Sequence, residues 1–433
     1  MNFRNKFGLT VVVNLFLAGV SFGTSIMAAR YLGAHGRGEL SAIWIYPMLL
    51  SNLALLGLPD ALVFFTARSP IQAGRLLSTC ILTGLALSSP ILVVMYFLLP
   101  FLLAAQSQAI IEYARLFLWF IPINAFTGFI SLSLRGKNDL GYWNLTRVIP
   151  PLVWLCLLGL NFWGGKVSSA GVLSNQYLLW LFLSGFVVML LGVKRLQGPF
   201  RPNFWTLAPM LRYGIPAMLG SIPAIFNLRL DQVLMAGIIS PEKLGLYVTA
   251  VGYSGIALSV TGALASMIVP DIAGIIDENE KKTKIARNFR LGSGLASIMA
   301  MALAISAAWF IPAIYGSEFN PVVPVAVLLC LASGIAGMNA ILENGLLGLG
   351  YPGFVFVAEM CGLVATGILL FILLEPWQLF GAAVASISSY IVVMMVLLGL
   401  LSKKTSMTLK EMIIPRRDDI VVLFRRKDPC SLK

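Results

Sequence analysis

The chain has 433 residues, 58% of them hydrophobic and only 11% charged, with a mean hydropathy of +0.88, far from soluble globular averages. Apolar segments of about 20–27 residues, each long enough to cross hydrocarbon, recur from residue 8 to residue 401 and leave no room for a soluble catalytic domain. The net charge of +13 raises nucleic acid as a partner, but bilayer topology accounts for the basic residues better and no nucleic-acid partner is expected.

A hydrocarbon layer about 30 Å thick takes roughly 20 helical residues per crossing, so about twelve spans fit. Residues 50–58 and 91–103 are nearly continuous apolar runs, unlike the alternation of a membrane barrel. An all-α integral membrane protein is therefore expected. The basic start resembles a signal peptide, but its apolar run exceeds the usual length of about 7–15 residues and reads as a first span, 8–29. Spans follow at 40–66, 76–103, 109–134, 143–163 and 170–193. After a basic linker, 194–212, come 214–239, 244–269, 291–315, 321–348, 353–374 and 378–401, then a basic tail, 402–433.

If the spans alternate, about 25 of the 31 Lys and Arg fall on one side. They include Arg4, Lys6, Arg68, Arg75, Arg135, Lys137, the linker, 281–290 and the tail, whereas the opposite loops hold Arg37, Lys166 and Lys243. This bias predicts a multi-pass membrane protein with both termini in the cytoplasm. Four cysteines (Cys80, Cys156, Cys330, Cys361) lie in spans and Cys430 in the tail; without CxxC and with a single His, no disulfide, metal or cofactor is expected.

Punctuating residues recur at offsets of 211 or 212: Pro59 with Pro270, Pro100 with Pro312, Gly136 with Gly348, Gly141 with Gly353. They predict two pseudo-symmetric six-helix bundles, 1–193 and 213–401, in the same orientation, an arrangement in which transporters place a cavity between halves. Pro47, Pro122, Pro150, Pro151 and the set Gly214, Pro216, Gly220 and Pro223 fall inside spans. For the seventh span, a functional bend and ordinary membrane-helix usage weigh evenly.

The stretch Ala28-Ala29-Arg30-Tyr31-Leu32-Gly33 with Gly36-Arg37-Gly38-Glu39-Leu40 resembles the opening of bacterial polysaccharide flippases, the Wzx-like branch of the MOP superfamily. Residues 231–247, residues 310–319 and Gly381-Ala382-Ala383 resemble the same family. The resemblance implies a V-shaped pair of bundles moving an undecaprenyl-pyrophosphate-linked oligosaccharide from the cytoplasmic to the outer leaflet by alternating access. It also implies a cationic cavity, to which Arg30 and Arg229 are matched, with membrane lipids and polysaccharide polymerase machinery as further partners and a monomeric chain.

Charges at membrane depth cost about 2.5–3.5 kcal/mol each on insertion scales and usually face wet interiors. Arg229 lies about ten residues, roughly 15 Å, inside the outer end of its span, too deep for easy snorkelling. Gln232 shares its face, whereas Asp231 aligns with Asn227. Phosphate contact and a structural ion pair with another helix are evenly weighted for Arg229. Arg30 is either a cavity cation or an interfacial anchor. Thr10, Asn14, Ser21 and Ser25 form one polar stripe and Asn124, Thr127 and Ser131 another, each suited to lining a cavity or to joining helices. Arg115, with Glu112 one turn earlier, reads as a local pair.

Glu343 and Glu359 flank a short turn, each roughly 9 Å inside the cytoplasmic interface, and either is a candidate proton acceptor for coupling to a proton or sodium gradient, as is Asp231. The repeat offset makes Glu359 the counterpart of Arg147. They are expected either to pair across the halves as a cytoplasmic gate or to find partners within their own halves. Two other functions compete with the flippase: a MATE-like drug or metabolite exporter, and a polytopic polysaccharide polymerase. The outer loops near Gln106, Gly164, Pro241, Ser317 and Pro376 are too short to hold sugars for acid-base chemistry, so a transporter is favoured over an enzyme.

Overall fold

The computed structural model describes residues 3–164, 169–273 and 275–414. Lys166 and the tail arginines and lysine at 416–417 and 425–427 lie outside the described residues. Every regular element among the described residues is helical: α1 (Phe3–Leu53), α2 (Leu58–Arg68), α3 (Ala73–Leu102), α4 (Gln108–Phe117), α5 (Phe120–Gly136), α6 (Leu140–Trp163), α7 (Ala170–Val193), α8 (Leu207–Asn227), α9 (Leu230–Ile238), α10 (Pro241–Ala265), α11 (Ile268–Ala273), α12 (Glu278–Tyr315), α13 (Val323–Gly348), α14 (Pro352–Thr405) and α15 (Leu409–Ile413), with short 3-10 turns between some of them.

Nine helical stretches among the described residues are long and apolar enough to cross a bilayer. Fewer than the expected twelve emerge because adjacent spans merge and one is broken. α1 contains the turn between the first two expected spans, at Gly33 with φ 67° and ψ −177°. α14 folds back in the same way at Gln378, with φ 46° and ψ −118°. The seventh expected span is split into α8 and α9.

Local chemistry sets many of the boundaries. Ser107, Ser169 and Asp277 cap α4, α7 and α12, each side chain accepting a first-turn backbone N–H. Gly316, at φ 119°, terminates α12 in a backbone conformation that side chains disfavour. Where α1 ends, Leu56 and Gly57 both take positive φ, and Gly57 packs backbone to backbone against Gly214 of α8, where a Cβ would lie 1.9 Å from the Gly214 carbonyl oxygen.

The helices pack around three cores. One is continuous across both halves of the chain, from Ala28 and Tyr46 through Phe117 and Leu173 to Tyr247, Tyr315 and Ala382. It lies toward the end of the molecule that carries the α1 turn and the α9–α10 turn, here called the far end. Toward the opposite, basic end the core divides. One cluster joins Leu58, Leu77, Phe129 and Val188, with Met210 of α8. The other joins Ile272, Phe289, Leu346 and Leu397. The halves are thus fused at the far end and part toward the basic end, except where α2 meets α8.

The far-end fusion rests on backbone contact. A Cβ on Gly38 would stand 1.6 Å from the Pro241 carbonyl oxygen, and one on Gly245 would stand 1.9 Å from that of Ala34, so α1 and α10 touch without intervening side chains. The Tyr46 hydroxyl donates to the carbonyl oxygens of Val233 at 3.0 Å and Leu102 at 3.2 Å. Gln106 donates through Nε2 to Ala236 O at 3.0 Å.

Candidate functional site

Below this seal lies a cavity of about 590 Å³, walled by α1, α6, α7, α8, α9 and α10. Both halves of the chain contribute. The second part of α1 lines it with Arg37, Ser41, Trp44, Met48 and Asn52, a stripe at helical spacing down one face. The first part adds Ser21, Thr24 and Ser25. Arg229 and Gln232 line it from the start of α9.

Arg229 reaches the cavity because the helix breaks beneath it. α8 continues past Pro216 and Pro223 and stops at Asn227. Arg229 itself, at φ −138° and ψ −13°, is the N-cap of α9. Its N–H turns back to Phe226 O at 3.0 Å while its own carbonyl accepts from Val233 at 2.9 Å. The seventh expected span is therefore interrupted at the arginine, beyond both prolines. Arg229 Nη1 donates to Gln232 Oε1 at 3.3 Å.

The polar balance of the cavity is one-sided. Two guanidinium groups line it and, among the described residues, no carboxylate does. Arg37 Nε and Gln232 Nε2 are buried and without a hydrogen-bond partner among the described residues. Both nitrogens are closed off from the cavity surface, so neither is presented to a ligand in this conformation. Aliphatic side chains and three aromatic rings make up the remaining wall. Trp44 lies 4.8 Å from Trp154 and 5.2 Å from Tyr177, centroid to centroid, and donates through Nε1 to Ser174 Oγ at 3.1 Å, which fixes its ring.

Of the residues singled out in the sequence, Ser21, Arg229 and Gln232 line the cavity; Arg30, Asn14 and Asn124 do not. Arg30 is exposed and donates through Nε to Ile314 O at 2.6 Å and through Nη2 to Ala313 O, clamping the C-terminal carbonyls of α12 where the helix dipole is negative. Asn14 accepts from Arg147 Nη2 at 2.8 Å. On the Asn124 stripe, Ser131 bonds Thr146 of α6 at 2.8 Å, and Thr127 turns back to Ile123 O at 3.1 Å and Asn124 O at 3.2 Å. Arg115 pairs with Glu112 at 2.6 Å and covers the Tyr96 ring.

Arg37 is the cation that sequence reasoning placed in an outer loop. The helix resumes directly after Gly33, so Arg37 sits in the first turn of the second part of α1. Its neighbours Gly36 and Gly38 read as turn residues, yet they are helical, and Gly38 serves the contact with α10. The detectable signal was the apolar and polar stripe that continues from Arg37 through Ser41 and Trp44 to Asn52.

A second polar cluster lies behind α9. Asp231 accepts from the Tyr247 hydroxyl at 2.6 Å and from Gln232 N at 2.7 Å. One turn earlier, Asn227 Nδ2 donates to Glu359 Oε2 at 2.6 Å and to Glu359 O at 2.9 Å, while its Oδ1 accepts from Thr366 at 3.3 Å. The Glu343 carboxyl meets that of Glu359 within hydrogen-bonding range. Arg147 is elsewhere, bonded to Asn14 and Asn144 and stacked 4.5 Å over Trp143. It makes no contact with Glu359 in this conformation.

A family model described as "Polysaccharide biosynthesis protein" matches residues 3–275, more than half of the chain. The chain belongs to this family. A probable low-salt glycan biosynthesis flippase, Agl15, of Haloferax volcanii is 24% identical over 390 residues, which are 88% of this chain and 79% of that protein. Among solved structures, the lipid II flippase MurJ in an inward closed conformation superimposes with a TM-score of 0.75 at 14% identity, covering 96% of this chain and 91% of that one. An inward-facing multidrug resistance MATE transporter of the MOP superfamily gives 0.70 at 16% identity, covering 92% and 100%. The family member is thus a multi-pass membrane protein with the all-helical fold of MOP transporters.

Proposed function

We propose that this protein is a flippase for a polyprenyl-pyrophosphate-linked oligosaccharide and that the cavity between its halves receives the pyrophosphate head and the first sugars. The observation that carries the reading is that Arg37 and Arg229, from the two halves of the chain, both line a cavity free of carboxylates among the described residues. A pyrophosphate cannot cross hydrocarbon without replacing its water with cations and donors, and bidentate guanidinium groups suit phosphate oxygens. Trp44, Trp154 and Tyr177 offer apolar ring faces against which sugar C–H surfaces pack. The same charge pattern opposes the drug-exporter alternative for organic cations, which would meet like charge here.

In this reading the basic end faces the cytoplasm, as the charge bias directs, and the far-end seal is the closed outer gate. Two six-helix halves rock about the seam to open one gate and close the other. The cluster behind α9 provides the coupling: a proton or a sodium ion at Glu343 and Glu359 relieves the repulsion of two adjoining carboxylates. α9 bears Asp231 on the cluster side and has Arg229 as its N-cap on the cavity side, so cluster occupancy reaches the substrate site through one short helix. Arg147 and Glu359 are free to meet only when the basic end closes. Undecaprenyl pyrophosphate as the carrier, the bacterial inner membrane as the location and polymerase machinery as a neighbour extend the reading.

The test is deletion of the gene followed by analysis of lipid-linked saccharides by leaflet. Accumulation of complete units in the cytoplasmic leaflet, reversed by the wild-type gene and not by Arg37→Gln or Arg229→Gln, is expected. Units already translocated but unpolymerised would show the reading wrong and point to a polymerase.

A further inference from the structure

At the basic end, residues 194–206 leave α7 and fold back along the start of α3 before entering α8. Polar and backbone contacts pin this ledge. Gly74 N donates to Gln197 O at 2.8 Å and Asn203 N to Thr79 Oγ1 at 2.9 Å. Gly198, at φ 89°, lies so close to Ile71 that an added Cβ would stand 2.3 Å from the Ile71 carbonyl oxygen. Leu196 is buried in the core that holds Leu58 and Met210. The ledge is nevertheless apolar on its outer side. Trp205 is 92% exposed and Ile71, in the turn against Gly198, is 75% exposed; Phe200 and Phe204 are exposed as well. Its charges have one sign. Arg68 and Arg75 flank the Ile71 turn, Lys194, Arg195, Arg201 and Arg212 flank the aromatics, and neither 66–80 nor 190–217 contains an acidic residue. The ledge leaves one candidate span at Val193 and lies against another that begins at Pro70, so it sits where hydrocarbon gives way to water. The C-terminal half returns its own chain at this end without these features. There Arg290 donates to Glu411 O, Met412 is buried with Phe289 and Leu397, and Asp277, Glu278 and Glu280 stand among the bases.

We propose that this ledge docks on the anionic phospholipid head groups of the adjoining leaflet and fixes the N-terminal half at the membrane surface. The inference is independent of the substrate reading. Two features select that occupant. Aromatic rings on a basic segment settle at the head-group level, where ring faces meet the upper acyl chains and an indole N–H meets water. Guanidinium groups beside the rings match phosphate oxygens, and six bases without an acid favour a negatively charged leaflet over a neutral one. Anionic lipid supplies the apolar layer and the counter-charge together. The ledge also leads into packed structure. Just beyond Trp205, Met210 joins the core with Leu58, Tyr213 stacks on Phe64 at 4.3 Å between centroids, and Gly214 meets Gly57. Docking therefore anchors the α2–α8 contact, where the halves meet at the basic end.

The experiment uses the full chain in nanodiscs of phosphatidylcholine and phosphatidylglycerol in equal amounts, with one lipid or the other brominated on its upper acyl carbons. The difference in fluorescence between the wild type and Trp205→Phe isolates one indole of nine. Quenching of that signal should show phosphatidylglycerol preferred over phosphatidylcholine about fivefold or more. A second readout needs no charge variant. At about 1 M salt, where the screening length falls to about 3 Å, the preference should vanish. At low salt the triple variant Arg75→Gln, Arg201→Gln, Arg212→Gln, all exposed side chains, should lose the preference while phosphatidylcholine still quenches. Equal quenching by the two lipids in the wild type, or a preference that survives high salt or the folded triple variant, overturns the proposal. So does the absence of quenching by either lipid, which would put Trp205 in water or under another protein. None of these results bears on pyrophosphate binding in the cavity.

Discussion

Gly38→Ala isolates the far-end seal. Its added Cβ would stand 1.6 Å from the Pro241 carbonyl oxygen and 2.9 Å from the Gly245 nitrogen, both backbone atoms that no rotamer change can move. Restoring ordinary contact requires α1 and α10 to part by about 1.5–2 Å at this crossing. Overpacking of this kind costs about 1–3 kcal/mol, and because the contact exists only while the far end is shut, the cost falls on that state alone. The ratio of open to sealed molecules should rise by roughly 5- to 150-fold. Spin labels at His35→Cys and Glu242→Cys, both exposed beside the crossing, read this as growth of a long-distance population in a background lacking the native cysteines. Gly255→Ala, in the same α10 with nothing within 4 Å of its added Cβ, should leave the distribution unchanged and serves as the control. A folded Gly38→Ala protein with the wild-type distribution would refute the claim that glycine-mediated backbone contact holds the outer gate.

Other variants separate the remaining roles. Arg30→Gln should lower thermal stability by about 0.5–1.5 kcal/mol through loss of the α12 clamp, seen as a Tm drop, with pyrophosphate affinity unchanged. Glu359→Gln keeps an acceptor for Asn227 and should retain substrate binding, while transport in proteoliposomes loses its response to an imposed proton or sodium gradient. Arg147→Gln is expected to impair transport too, and the charge swap of Arg147 and Glu359 to restore it; a well-expressed swap without transport would count against a cytoplasmic gate made by this pair.

The helical architecture was legible because hydrocarbon imposes one solution on the backbone, and apolar run length reports it directly. Boundaries were less legible where turns are made by helical residues. Gly33 and Gln378 reverse α1 and α14 within a single residue each, so runs of intervening polar sequence do not mark those turns. Arg229 could be found because a deep charge with no opposite charge on its own face is conspicuous. Arg37 was hidden by its glycines: Gly36 and Gly38 signal a loop locally, and only the tertiary crossing with α10 reveals that they are there to let two helices touch. Arg30 misled for the converse reason, since an arginine at a span end looks the same whether it faces a cavity or caps a neighbouring helix. The carboxyl cluster was half visible. Spacing puts both Glu343 and Glu359 near a short turn between spans, but their contact and their link through Asn227 to the helix below Arg229 depend on packing between α8, α13 and α14.

The central claim is that Arg37 and Arg229 together hold a pyrophosphate, and equilibrium binding of a polyprenyl pyrophosphate to the purified protein and to Arg37→Gln and Arg229→Gln tests it most directly. Loss of either charge-assisted contact, worth about 1.5–3 kcal/mol, should weaken binding by roughly 10- to 150-fold while the corresponding neutral polyprenol binds all three proteins alike. Folded variants that bind the pyrophosphate as tightly as the wild type would contradict the account.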